Sequence, residues 1–140
     1  GLRKANAVGV IDMAKLELMK TIETGPDANR LYLNPGNSRY GLFANEAGKS
    51  DIVSIIDTQL DVKVKDIWTG LGPHNVAFDP DGKFAVISTK KENVATLVDT
   101  GSADPNDWDV ITTDLDSGIQ NNGVRWVPSP AALKKALAQN

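Results

Sequence analysis

A chain of 140 residues with 15 basic and 18 acidic side chains, one histidine and no cysteine carries a formal charge of −3. The lack of cysteine excludes disulfides, thiolate metal sites and cysteine nucleophiles, and basic residues scattered along the chain offer no face for nucleic acid. No apolar run approaches the 18 residues of a membrane span.

One domain is expected at this length, and a compact chain of the size buries roughly 68% of its unfolded surface. No charged, then apolar, then small-residue leader is present. A start on Gly1 rather than Met is expected of a processed, truncated or tagged chain.

In chain order, the first element is "NAVGVID" (Asn6–Asp12), a short apolar run closed by aspartate. It returns as "DIVSIID" (Asp51–Asp57) and "NVATLVD" (Asn93–Asp99), the closing aspartates lying 45 and 42 residues apart. A second element, "NRLYLNPG" (Asn29–Gly36), returns as "HNVAFDPDG" (His74–Gly82) and "NGVRWVPS" (Asn122–Ser129), with prolines 45 and 48 apart. Two markers sharing a period in the forties predict four-stranded propeller blades, since the 3.6-residue pattern of helical repeats is missing. In the best-preserved unit the strands are expected at His74–Phe78, Lys83–Ser88, Val94–Val98 and Asp109–Asp114. Weak alternation in Val, Ile, Phe and Ala predicts sheets covered on both faces. The fold class is therefore all-β: antiparallel four-stranded blades of a partial propeller over residues 1–128.

In blade order the chain opens on the last two strands of one blade. Two complete blades follow, Asn29–Thr69 and His74–Asp114, and then a lone first strand, Gly123–Val127. Open edges of this kind expose unpaired backbone groups. The chain is expected to be a fragment, a subunit closing a ring with copies of itself or another chain, or an open array capped by its tail. Its expected partners are thus itself or further propeller blades, and self-association is expected. Residues 129–140, "SPAALKKALAQN", predict a short C-terminal helix with Ser129 as N-cap, Pro130 in the first turn, and an apolar stripe that includes Leu133 and Leu137.

The segment "VSIID…VKDIWTGLGPHNVAFDPDGKFAVIST", within Asp51–Thr89, resembles the YVTN-type β-propeller repeat. That pattern is a strand ending in I-D, a strand leading to a glycine, then P-H-x-V-A-x-x-P-D-G and another strand. The first unit keeps "VGVID" and "IETG" but carries "DANRLYLNPGN" where the pattern has P-H and P-D-G, and the third keeps "ATLVD" before drifting. The resemblance implies a propeller and a periplasmic or extracellular location. It leaves function open, because one fold hosts many activities. The reading favoured is a non-catalytic binding or scaffold module that needs no cofactor. Two alternatives are a subunit or fragment of a periplasmic redox enzyme with haem or copper on the propeller axis, as in cytochrome cd1 or nitrous oxide reductase, and a lactonase-like hydrolase.

His74 enters an innermost strand near the axis. It is expected as a turn residue, with Asn29 and Asn122 at equivalent positions, or as a metal ligand where several chains share an axis. Asp12, Asp57 and Asp99 are expected in Asx-type turns that cap backbone N–H groups. Pro80, Asp81 and Gly82 are expected as structural turn residues within Asp79–Gly82: Pro80 presets φ, the Asp side chains bond nearby N–H groups, and Gly82 accepts a positive φ. The six aspartates within Asp99–Gly118 predict a solvated acidic connection; their spacing does not match an EF-hand loop. Trp68, Trp108 and Trp126 are expected in core or edge packing rather than as binders of a sugar or peptide, with Trp126 between blades and Trp68 and Trp108 in or beside outer strands and partly exposed. No phosphate loop, dinucleotide fingerprint, nucleophile elbow or zinc-protease motif is present.

Overall fold

A computed structural model describes residues 1–46, 50–117 and 123–125. Among the described residues, ten antiparallel strands form three sheets. The first pairs β1 (Ala7–Asp12) with β2 (Glu17–Glu23). The second runs β3 (Ala28–Leu33), β4 (Tyr40–Asn45), β5 (Ile52–Asp57) and β6 (Val62–Trp68) in chain order. The third repeats that order with β7 (Pro73–Phe78), β8 (Phe84–Thr89), β9 (Val94–Asp99) and β10 (Asp109–Asp116). These are two complete blades preceded by the outer half of another, as the repeat spacing predicts. Each expected strand of the third sheet is found to within two residues at either end. Single 3₁₀ turns occupy Arg3–Ala5 and Pro105–Asp107.

Two expectations fall at or beyond the edge of the description. Gly123–Arg125 carry no assigned strand, while Trp126 and Val127 lie outside the described residues. The expected C-terminal helix, with Leu133 and Leu137, also lies outside them.

The core explains the weak alternation. Successive side chains of a strand point to opposite faces. In β4 and β5 both faces are covered, so neighbours in sequence enter different cores. Leu42 and Ile55 join Val53, Ile67, Val76, Ala85, Ile87, Val98 and Trp108 in a cluster between the second and third sheets. Phe43 and Ile56 turn the other way, toward Ile22 and Ala28, with Val8 and Val10 packed on from the first sheet. Burying each Ile, Leu or Phe contributes about 1.5–3 kcal/mol, so both interfaces stabilise blade stacking as well as single sheets.

Trp108 packs in the core and departs only from its expected partial exposure. It is 1% exposed, edge-on to Tyr40 at 6.0 Å between centroids, and its indole N–H donates to the Ser102 carbonyl at 2.9 Å. The short turn at Pro105–Asp107, capped by the Asp104 side chain accepting from Asn106 N–H, swings Trp108 back under the connection. Trp68 is 68% exposed, as its outer strand predicts.

Candidate functional site

The charged and polar groups that meet across sheets gather at the end where β3 and β7 begin. Glu46 is the hub. It follows β4 directly, and its carboxylate accepts from the Asn29 amide on β3 and from Lys90 Nζ. Lys90 follows β8 directly, so the two residues hold the same repeat position in adjacent blades with opposite charge. Arg3 Nη2 lies 3.8 Å from Glu46 and also donates to Asp27 Oδ2 at 2.6 Å. Asp27 N–H in turn bonds the Asn6 side chain at 3.1 Å. Arg3 comes from the segment before β1, Glu46 from the second sheet, and Lys90 from the third. One carboxylate thus ties three sheets.

His74 is the fourth neighbour of Glu46. Its Nδ1 is 3.4 Å from Glu46 Oε1, close enough for charge contact but off hydrogen-bond geometry, and this buried nitrogen has no hydrogen-bond partner. Burial lowers the imidazole pKa below its ordinary 6.5, and the charges of Lys90, Arg30 and Arg3 lower it further against the opposing pull of Glu46. The ring is therefore neutral at pH 7. For Glu46, burial alone would raise the pKa, but the hydrogen bond from Lys90 and the charges of His74, Lys90 and Arg3 outweigh it and leave the carboxylate below its ordinary range. Beside His74, Tyr32 Oη donates to Asn75 Oδ1 at 2.6 Å and binds β3 to β7.

The opposite end is built differently. The "DPDG" turn puts Gly82 at φ +70°, and a Cβ there would lie 1.8 Å from Asn34 Oδ1, so only glycine fits. The buried Asn34 donates to the Gly82 carbonyl at 2.8 Å and accepts from Gly36 N–H at 2.8 Å and Asn37 N–H at 3.2 Å. Thr100 Oγ donates to the same Gly82 carbonyl at 2.8 Å. Asp79 accepts from Phe84 N–H at 2.9 Å and closes the turn, while Asp81 lies beside Gly36, its carbonyl 2.1 Å from where a Cβ on that glycine would stand. Pro80 occupies the second position of the turn. A cavity of about 250 Å³ opens here between Asn34, Gly82, Thr100 and Trp108.

The repeating aspartates sit at the ends of β1, β5 and β9. Asp12 Oδ1 accepts from Ala14 and Lys15 N–H at 2.8 and 3.1 Å. Asp57 Oδ1 accepts from Gln59 and Leu60 N–H at 2.9 and 3.0 Å, and Asp99 Oδ1 from Gly101 N–H at 2.9 Å. They lie apart from His74, one per sheet. The acidic stretch after Asp99 is likewise dispersed into a cap, a turn and β10. A larger recess of about 480 Å³, lined by Asp51, Thr69, Glu92 and Asp114 among others, shares no residue with the Glu46 cluster.

Copper requires several nitrogen or sulfur ligands. This chain has one histidine and no cysteine, and among the described residues no group of three or more His, Cys, Asp or Glu side chains could hold a metal ion. Its own residues do not fit a copper centre. A haem iron accepts a single axial imidazole, and with Nδ1 buried against Glu46 only Nε2 of His74 could serve.

The sequence pointed to His74 but not to Glu46, Lys90, Arg3 or Asp27. A signal was available in the opposite charges that directly follow the second strand of each complete unit. Reading it required knowing that the units stack side by side.

No protein-family model matches the chain, and no curated protein matches it. Solved structures do. Over 90% of this chain and 26% of the other, it superposes on a dihydro-heme d1 dehydrogenase, NirN, in complex with DHE, with a TM-score of 0.69 and 17% identity. Hydrazine synthase of Kuenenia stuttgartiensis matches over 78% of this chain and 32% of its own, with a TM-score of 0.62 and 24% identity. A putative 6-phosphogluconolactonase of Bacteroides fragilis matches over 84% and 35%, with a TM-score of 0.63 and 21% identity. The chain spans about a third or less of the length of these proteins, and at such identities the likeness shows the fold: antiparallel four-stranded blades of a β-propeller.

Proposed function

We propose that the chain is a binding or scaffold module without catalysis of its own, built from YVTN-like blades and working in the periplasm or outside the cell with further blades or copies of itself. One observation carries this reading. The charged groups at the inner end bind blade to blade: Glu46 is held by Lys90, Arg3, Asn29 and His74, and its strongest neighbours are cations from adjacent sheets. The Glu46 carboxylate is held ionised by these neighbours and serves the joint between blades.

A second reading rests on His74. It lies on an inner strand with an unsatisfied buried nitrogen, and the fold is shared with a dihydro-heme d1 dehydrogenase. Under it the chain is a segment of a periplasmic redox enzyme. When bound, the haem would supply the electron chemistry; this chain would supply the imidazole of His74, which stands beside Glu46. Purification from the native host followed by an absorption spectrum and metal analysis separates the two. The scaffold reading expects no Soret band and no stoichiometric metal. A Soret band lost on His74→Ala would overturn it in favour of the redox reading.

A further inference from the structure

The second and third sheets meet differently at their inner and outer strands. Tyr32 binds β3 to β7 on the inner side, whereas blades stacked radially diverge toward the outside. The seam between the outermost strands, β6 and β10, opens into two recesses that share Thr113. One, of about 320 Å³, is lined by Ile67, Trp68, Val110 and the buried Trp108 among others. The other is the recess of about 480 Å³ at the end of the seam, where Asp51, Thr69, Gly70, Glu92 and Asp114 converge.

The two recesses differ in chemistry. At the first, Trp68 stands 68% exposed, so its indole face is open to an apolar or cationic partner. The second is acidic. Its titratable side chains, Asp51, Glu92 and Asp114, are all carboxylates, and among the described residues none of them is in an ion pair. By contrast, Asp27, Glu46, Asp57 and Asp66 each face a cation of this chain. The one cation lining the seam, Lys65 in the first recess, is turned to the Asn106 carbonyl at 2.5 Å.

The acidic walls are held in place. Thr69 N–H and Oγ donate to the Asp51 carbonyl at 2.6 and 3.1 Å and fix the end of β6. Glu92 Oε2 accepts from Leu71 N–H at 2.9 Å, which carries the carboxylate across from the turn after β8 to the segment after β6. Gly70 leaves room for it: a Cβ there would run into Glu92 Oε2.

We propose that the seam between β6 and β10 binds an extended peptide segment of a partner protein, with an arginine side chain in the acidic recess and an apolar side chain against Trp68. Side chains on one face of an extended chain are two residues apart, so the recognised pattern is an arginine with an apolar residue at an alternate position. Arginine suits the recess because its planar fork meets two carboxylates at once and stacks on an indole. Charge complementarity selects this partner against acidic ones. The site goes beyond the scaffold reading and uses neither the Glu46 joint nor His74, so a Soret band would leave it untouched.

The test is calorimetry of the full chain with the blocked peptide Ser-Leu-Ser-Arg-Ser-Leu-Ser, which offers leucine on either side of the arginine. Saturable binding is expected, weaker at high salt, with amide NMR shifts at Thr69–Leu71 and Thr113 and none at Asn34 or Gly82. Glu92→Gln keeps an oxygen for Leu71 N–H and removes the charge, and Trp68→Ala trims an exposed side chain; each should weaken binding about tenfold or more. Neither should lower the melting temperature by more than a few degrees. Glu17→Gln removes the same charge from the exposed face of β2 and should leave the affinity unchanged. No saturable binding at millimolar peptide would overturn the proposal, as would equal affinity for the peptide with glutamate in place of arginine. Equal losses in Glu17→Gln and Glu92→Gln would overturn it in favour of unspecific attraction to an acidic chain. Spermidine binding as tightly as the peptide would overturn it in favour of a small organic cation. The same NMR shifts on raising the concentration of the chain alone would overturn it in favour of contact between copies.

Discussion

The two ends of the blade stack join the same sheets by different physics. At the end where the inner strands begin, adjacent blades are held by side-chain charge: Glu46 against Lys90, with Arg3 and His74 beside it. At the other end, Asn34 and Thr100 grip the carbonyl of Gly82, and no group in the contact is charged. A charged joint depends on solvent conditions and tolerates small shifts in position. A neutral joint fitted around a glycine is indifferent to pH and salt and tolerates almost no change in shape. The contrast teaches where variation is permitted: chemistry can be retuned at the charged end, while the turn end sets the spacing of the blades.

Four measurements would break or sharpen that contrast. The largest effect is expected from Gly82→Ala. A Cβ at φ +70° is strained and meets Asn34 Oδ1 at 1.8 Å, so stability should fall by about 2–5 kcal/mol. Chemical denaturation reads this, and the loss should be the same in low and high salt. Asn34→Ala comes next, at about 2–3 kcal/mol, because it leaves Gly36 N–H without its bond and the Gly82 carbonyl with one donor fewer. A loss under about 0.5 kcal/mol would show that the turn end is not a joint.

Glu46→Gln should cost about 1–2 kcal/mol in dilute buffer and less in 1 M salt, because it removes the charge the cations face. Salt-independent loss would mean that the carboxylate acts by shape. The smallest effect concerns pH. His74 has its folded pKa depressed below 6.5, so the unfolded chain takes up a proton first. The stability it contributes is complete above about 6.5 and is lost as the pH falls below it. Glu46 is depressed from 4.5, so its contribution is present above that value and is lost as the pH falls further, through the folded pKa. Melting temperatures should therefore decline in two limbs on acidification. His74→Asn, which installs the residue found at position 29, should abolish the upper limb and, by removing one charge that depresses Glu46, narrow the lower one. An unchanged upper limb would refute the assignment of that titration to His74.

Much of the fold was legible because it repeats. Asp12, Asp57 and Asp99 mark one strand end three times, and the turn at Asp79–Gly82 declares itself through proline and glycine. What repetition could not supply was the relation between units. Nothing in the repeat relates Glu46 to Lys90 until the stacking of the blades brings them together. Trp108 read as an outer-strand residue because its burial depends on a tertiary connection closing beneath it, which local pattern does not encode. The role of Asn34 is hidden for the same reason: its amide donates to the Gly82 carbonyl of the next blade.

The burial of β4 and β5 on both faces has a consequence for how the chain finds its register. In a sheet with one wet face, a slip of one residue throws the apolar set into water, and the error corrects itself. In these central strands a slip would exchange one apolar face for another, Leu42 for Phe43 or Ile55 for Ile56, at little cost in buried area. Hydrophobicity there cannot tell right from wrong alignment. The discrimination falls to polar marks at the strand ends: the Asp57 carboxylate closing its turn on Gln59 and Leu60, and Arg39 reaching that same carboxylate from the neighbouring strand. The repeating aspartate then serves as an alignment key during folding, and misfolding by slippage is the failure to expect where the key is removed.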